Sequence, residues 1–374
     1  MANEPASENL PKAAATHSLG GLADAEYYWR DHQQWLEQCG YLLRPRYKPE
    51  WVPSWQGTKK HFFDCEDGLI LEHPTIIDAT RVSDGALVSL KKISTSVHPY
   101  EVEIGQYLRS EELLADPSNH CVPLYDVLQD PDEENVAIVV MPLLRECDDP
   151  EFESVGEVVE FIQQLIIGLK FMHAHHVAHR DIMLPNVMLD PKPMFPDMYH
   201  PRRRNRKLDF KGTAKHYSRT ERPTKYYYVD FGLSRRYNPE DGSPRELPIL
   251  GGDKSVPEFQ DEGYDIAVDP FPTDIYYLGN LIRMAFLQQY DNFHFLQALI
   301  ADMVQHDPQK RPPIEEVASR FAEATSELSS RILRGRLRER GESVIVRFFR
   351  GLEHVFRTAK YVVRRLPPVP TPPA

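Results

Sequence analysis

Only four cysteines are spread over the 374 residues, at Cys39, Cys65, Cys121 and Cys147, and none sits in a C-x-x-C spacing. That scarcity excludes a zinc ribbon and a disulfide scaffold, and it predicts a reducing compartment, cytoplasmic or nuclear. Long apolar runs are missing as well: no stretch approaches the roughly twenty uncharged apolar residues of a membrane-spanning helix. The start of the chain, residues 1–19, is polar and Ala/Pro-rich and lacks the basic-then-apolar order of a signal peptide. It reads as disordered up to about residue 20. Positive charge is in deficit overall, with a formal net charge of -12. The deficit is uneven. Residues 331–365 hold eleven Lys/Arg against three Asp/Glu, a local +8, so everything else sums to -20. A mostly acidic body is a poor match for nucleic acid, which is not expected as a partner.

A hydrophobic content of 41% supports a sizeable core. Tryptophan is rare, and its four copies (Trp29, Trp35, Trp51, Trp55) all lie in residues 27–55, which reads as a segment packing its rings onto the main domain. Short apolar runs follow. Thr75-Ile76-Ile77 and Ala86-Leu87-Val88 flank Ser83-Asp84-Gly85, a hairpin signal, and residues 136–140 suit a buried strand. The period then changes. Val158, Phe161, Ile162, Leu165, Ile166, Leu169 and Met172 recur at helical spacing behind a capping box, Ser154-x-x-Glu157. Strands first and helices after is the order of a small sheet lobe followed by a helical lobe.

The chemistry concentrates in two short motifs. His179-Arg180-Asp181 is followed five residues later by Asn186, ahead of the apolar run Val187-Met188-Leu189. Phosphoryl transfer needs a carboxylate to orient or deprotonate the attacking hydroxyl and an amide oxygen nearby to hold a metal ion, and Asp181 and Asn186 have that spacing. A second apolar run, residues 226–229, leads into Asp230-Phe231-Gly232, where Asp230 would chelate magnesium. Either motif alone arises by chance; the two in order, each beside an apolar run, do not readily do so.

Over about residues 61–328 the chain resembles the eukaryotic protein kinases. The resemblance implies an α+β, two-lobed kinase fold: a small β-rich N-lobe with one helix and a larger, mainly helical C-lobe. It implies ATP and Mg2+ as cofactors and protein Ser/Thr hydroxyls as substrate. Val88-Ser89-Leu90-Lys91 is similar to the family's V-A-I-K strand, making Lys91 the phosphate clamp. Its acidic partner would be Glu101, which shares a helical face with Ile104 and Leu108; Glu103 is the alternative. The segment 141–144 falls where the family binds adenine, with Met141 and Leu144 as contacts and Pro142 offering only a carbonyl. Val256-Pro257-Glu258 resembles the motif closing the activation segment, and Asp307-Pro308-x-x-Arg311 the late motif whose Arg pairs with that Glu. Asp274 is expected to hold the catalytic loop's backbone. Arg180 would meet a phosphate on the activation loop, with Ser234, Tyr237, Ser243 and Ser255 as acceptors.

Three departures stand against this. The glycine-rich loop is missing, the matching stretch reading Leu69-Ile70-Leu71-Glu72-His73-Pro74. Met183 replaces the catalytic-loop lysine, and Pro185 stands where tyrosine kinases carry an arginine. A basic insertion at about 190–225 separates the two motifs; it reads as a solvated loop, with an acidic-substrate docking arm or a nuclear-import signal as the sharper alternative. The Trp-rich lead-in and the insertion resemble a divergent group of fungal kinase-like proteins. Two function classes stay open: an active enzyme and a pseudokinase serving as a binding or scaffold module. A small-molecule kinase is disfavoured by Arg180, Glu258 and Arg311.

Beyond a kinase-like domain at 61–328 and an N-terminal extension at 1–60, residues 329–374 form a basic tail. Val344, Ile345, Phe348, Phe349, Leu352, Val355 and Phe356 mark the apolar side of a helix that packs on the large lobe or, alternatively, meets an acidic membrane surface or a partner groove. Arg364-Arg365-Leu366-Pro367-Pro368-Val369-Pro370 fits the R-x-L-P-P-x-P pattern of SH3 ligands.

Overall fold

The computed structural model describes residues 20–249 and 252–373. The expected disordered start therefore lies outside the described residues, Gly20 excepted. The described residues divide into two compact units, one ending at Ala86 and the other beginning at Leu87.

In the first unit, helices α1 (Asp24–Asp31) and α2 (Gln33–Gln38) precede two strands, β1 (Tyr41–Leu42) and β2 (Ile76–Arg81), which pair antiparallel with Leu42 opposite Thr80. The turn at Ser83-Asp84-Gly85 places Gly85 at φ +72°, and the Arg81 N–H donates to the Ala86 carbonyl at 2.8 Å. Residues 43–75, between β1 and β2, are no tight hairpin. They fold around a buried carboxylate: Glu26, wholly buried, accepts from Arg46 Nη2 at 3.0 Å and from the Tyr47 hydroxyl at 2.7 Å. A carboxylate taken out of water without such partners would cost several kcal/mol, about enough to unfold a small unit. Asp67 likewise accepts from Trp51 Nε1 at 3.0 Å and from Ser54. Trp29 is wholly buried, and the Trp51 and Trp55 rings meet edge to face at 5.8 Å. The aromatic segment thus builds a small interior of its own.

The second unit begins with β3 (Leu87–Ser94), α3 (Glu101–Leu108), α4 (Glu111–Leu114), β4 (Asp126–Gln129) and β5 (Val136–Pro142). β5 lies between β3 and β4, antiparallel to both, with Lys91 opposite Val139 and Leu128 opposite Ile138. Next come β6 (Arg145–Glu146) and α5 (Val155–Ala174), capped by Ser154 Oγ accepting from the Glu157 N–H at 3.3 Å. Short strands then alternate with loops: β7 (Val177–Ala178), β8 (Val187–Leu189), β9 (Tyr226–Tyr228) and β10 (Arg235–Arg236). β8 pairs with β6 and β9, and β7 with β10. The rest is helical: α6 (Pro270–Ile282), α7 (Gln297–Met303), α8 (Ile314–Ser326), α9 (Ser330–Leu333) and α10 (Val344–Val363). The core gathers α5 residues Phe161, Leu165 and Leu169 with Leu278 of α6, Leu299 of α7 and Phe321 of α8. Sheet strands before helices make the α+β order of the kinase fold.

Residues 190–225 are a folded excursion, not a solvated loop. Phe195 and Tyr199 are buried, and the Arg145 guanidinium lies 4.5 and 4.4 Å from their ring centres. Arg219, 3% exposed, donates to the Cys147 carbonyl at 2.7 Å, the Glu151 carbonyl at 3.1 Å and the Tyr226 hydroxyl at 2.9 Å. Arg204 pairs with Glu146 at 2.7 Å. Composition marked the segment as basic but could not show that its charges meet carbonyls and carboxylates of the large lobe.

The tail departs from expectation in two ways. α10 packs its polar side, not its apolar side, on the large lobe: Arg357 reaches Glu153 at 3.1 Å and the Tyr361 hydroxyl reaches Ser218 Oγ at 2.7 Å. The proline-rich stretch lies against the chain's own α5. The Thr371 hydroxyl donates to Glu160 at 2.9 Å, Pro370 is buried, and a Cβ on Gly156 would fall 1.8 Å from the Pro368 carbonyl oxygen. Only glycine permits that approach.

Candidate active site

The catalytic-loop motif follows β7 and is aimed by α6. Asp274, wholly buried, accepts the His179 N–H at 2.8 Å and the Arg180 N–H at 2.7 Å, with His173 Nε2 at 3.1 Å. Arg180 adopts φ +67°, a conformation a non-glycine residue holds only when its surroundings fix it. The turn carries Asp181 to the loop's tip. There Asn186 Nδ2 donates to Asp181 Oδ2 at 2.7 Å and to its carbonyl at 2.9 Å. Asp181 Oδ1 is buried with no hydrogen-bond partner among the described residues. Burial raises the pKa of this carboxyl, only partly offset by His179 and Asn186.

β9 delivers the second motif beside the first: the Val229 N–H donates to the Asn186 carbonyl at 3.0 Å, and Asp230 follows in the left-handed region at φ +65°. Lys91, projecting from β3, bridges two acids. Its Nζ lies 2.5 Å from Glu101 Oε1 and 2.9 Å from Asp230 Oδ1. Burial opposes the ammonium's charge, yet Glu101 and Asp230 outweigh it and raise the Lys91 pKa. For Asp230, burial is likewise outweighed, here by Lys91, and its pKa is lowered. Glu101 is raised because its burial dominates. α3 turns Glu101, Ile104 and Leu108 inward and leaves Glu103 exposed, so Glu101 is the acid that meets Lys91.

The 141–144 segment closes the sheet side. Met141 pairs across from Ser89, the Leu143 N–H donates to the Leu87 carbonyl at 3.4 Å, and Leu144 is buried. Farther out, Arg311 forks onto Glu258 at 2.7 and 2.6 Å. Asp230, Asn186, Asp181, Lys91 and Glu101 thus converge, with Met141 and Leu144 on the neighbouring strand and its exit.

Three features of the site were not legible in the motifs. Arg180 already has partners: the Leu233 and Leu247 carbonyls at 3.2 and 3.0 Å, and the Glu246 carboxylate at 3.4 Å. Of the expected phosphate acceptors, Ser234 is buried and donates to the His179 carbonyl at 2.9 Å, and Tyr237 donates to Glu246 at 3.1 Å, while Ser243 and Ser255 are exposed. Gly252, at φ +62°, passes so near the catalytic loop that a Cβ would lie 2.2 Å from Asp181 Oδ1. Finally, Met183, Pro185 and Lys254 line one cavity of about 560 Å3.

No family model matches the chain. It is similar to cyclin-dependent kinase D-1 of Arabidopsis thaliana, with 25% identity over 237 residues, 60% of this chain and 50% of the plant protein. The similarity points to a protein kinase relationship. The chain spans about half the length of that relative.

Proposed function

We propose that this chain is an ATP- and magnesium-dependent protein kinase acting on Ser or Thr hydroxyls, belonging to the divergent fungal kinase-like group and working in the cytoplasm or nucleus. One observation carries the reading: a buried Asp181 Oδ1, without a hydrogen-bond partner among the described residues, sits beside Asn186 and the Lys91–Glu101–Asp230 ion chain. The Asp230 carboxylate and the Asn186 amide oxygen are hard oxygen donors of the kind Mg2+ takes, and Asn186's NH2 is already committed to Asp181. These two would hold the ion, which supplies charge neutralisation at the transferring phosphoryl group. Lys91 would release Asp230 to the ion and hold the α- and β-phosphates, kept in place by Glu101. The 141–144 backbone would hold the adenine edge. Asp181 Oδ1 would accept the proton of the substrate hydroxyl as its oxygen bonds the γ-phosphorus and the bond to ADP breaks. Lys254, which lines the same cavity as Met183, would supply the cation missing from the catalytic loop.

The second reading, a pseudokinase acting as a binding module, is favoured by Gly252 lying over Asp181 Oδ1. Transfer of radiolabelled phosphate to a Ser/Thr peptide library separates the two. The kinase reading expects magnesium-dependent labelling that falls by about 10²–10⁴-fold in Asp181→Asn. Wild-type labelling no greater than that of Asp181→Asn would overturn it.

A further inference from the structure

α10 is an amphipathic helix worn inside out. Side chains at 354, 357 and 361 point inward: His354 Nε2 donates to the Arg334 carbonyl at 2.8 Å, and Arg357 and Tyr361 both reach Glu153, at 3.1 and 3.0 Å, while Arg350 pairs with Glu339 at 2.5 Å at the exposed edge of the same side. The apolar stripe faces the other way. Val344, Ile345, Phe348, Phe349, Val355 and Phe356 are 62–79% exposed. A helix on the surface of a soluble domain ordinarily turns its apolar stripe inward, and a contiguous exposed patch with three phenylalanines marks an interaction surface.

Charge decides among the occupants. The stripe lies within residues 331–365, the +8 segment of a chain whose remainder is -20. A second copy would set +8 against +8 across its own symmetric contact, which like-charge repulsion disfavours. An anionic lipid surface satisfies both features at once. The rings enter the boundary between headgroups and acyl chains, and the half-exposed basic side chains beside them, Arg347 and Lys360, stand at headgroup level, where lipid phosphates compete with their present partners, Glu342 at 3.9 Å and Glu221 at 2.9 Å. Among the described residues no helix is long and apolar enough to cross a membrane, so α10 lies in the plane. The acidic remainder is repelled by the same surface, which keeps α10 as the side that docks. We infer that α10 seats this chain on an anionic membrane surface, with Phe348, Phe349 and Phe356 inserted. This stands independently of the kinase reading.

Co-sedimentation of the full chain with vesicles tests it, using phosphatidylcholine alone and phosphatidylcholine with phosphatidylserine. Binding is expected with phosphatidylserine, weakening as salt rises. Phe348→Glu combined with Phe356→Glu should lower the partition coefficient by about tenfold or more per ring while leaving the melting temperature unchanged. Amide exchange along α10 of the wild type, which needs no variant, should slow when the anionic vesicles are added. Equal sedimentation with both lipids, or none with either, would overturn the inference. So would light scattering that shows a lipid-free dimer which the double variant makes monomeric, since the stripe would then belong to a second copy.

Discussion

α5 and α10 are both twenty residues long, and both carry strong apolar content, yet they end in opposite environments. α5 is apolar nearly all round and is enclosed: Val158, Phe161, Ile162, Leu165 and Leu169 are each wholly buried. α10 buries only Tyr361 among its residues. The difference lies in what the polar side of each helix meets. Two of α5's buried polar groups, Glu157 and Gln164, are taken up by the 220–226 segment, where Glu157 accepts from Thr220 at 2.7 Å and Gln164 donates to the Thr224 carbonyl at 3.2 Å, and a third, Glu160, accepts from Thr371. α10's arginines find Glu153 and Glu339, which turns its apolar stripe to solvent. Amphipathicity read from sequence says that a stripe wants covering; it does not say which side the chain itself will cover.

The sharpest way to break this comparison is truncation. Phe161→Ala in α5 should cost about 3–5 kcal/mol in urea unfolding, through lost burial and the cavity left behind. The next effect contrasts charges. Glu258→Gln leaves Arg311, 6% exposed, without its fork partner, and should cost about 3 kcal/mol. Arg350→Ala removes a half-exposed pair and should barely move the unfolding midpoint. A loss for Arg350→Ala as large as that for Glu258→Gln would contradict the claim that α10's pairs are superficial.

A histidine against α5 sharpens the comparison by pH. His120 Nδ1 donates to the Tyr226 carbonyl at 2.8 Å, and its Cβ approaches Gly168. Burial lowers its pKa to about 4. The folded chain therefore keeps the ring neutral where the unfolded chain, near its ordinary value of about 6.5, takes up a proton. Its contribution is fully present above about pH 6.5 and is lost as pH falls toward 4. The melting temperature should drop over that window, and His120→Asn should flatten that part of the profile. An unchanged profile in the variant would remove His120 as the cause. The smallest expected effect is at α10: Phe348→Ala should stay within about 0.5 kcal/mol of wild type. A core-sized loss there would mean that the stripe is covered.

How much was legible follows the same line. Lys91, Glu101, Asp181, Asn186 and Asp230 could be singled out because each sits at a fixed spacing from an apolar run, and those runs become β3, α3, β8 and β9, which bring the five together. The strand-then-helix order was legible for the same reason, since hydrophobic period reports local structure directly. Residues 190–225 were not. Their basic run hides Phe195, Tyr199 and Arg219, whose burial depends on Arg145 and Glu151, far off in sequence. Neither was the docking of the proline-rich tail, which rests on one absent side chain at Gly156. Glu246 beside Arg180 and Gly252 over Asp181 leave no trace in the sequence, because nothing in the spacing of residues 230–258 marks which of them fold back.

The proposed kinase activity stands or falls on a magnesium-dependent nucleotide site at Asp230. Isothermal calorimetry of ATP binding, with and without Mg2+, on wild type and Asp230→Ala tests it most directly. The account predicts binding to wild type that requires the ion and is lost in Asp230→Ala. No wild-type binding at millimolar ATP, or binding indifferent to both the ion and Asp230, would contradict it.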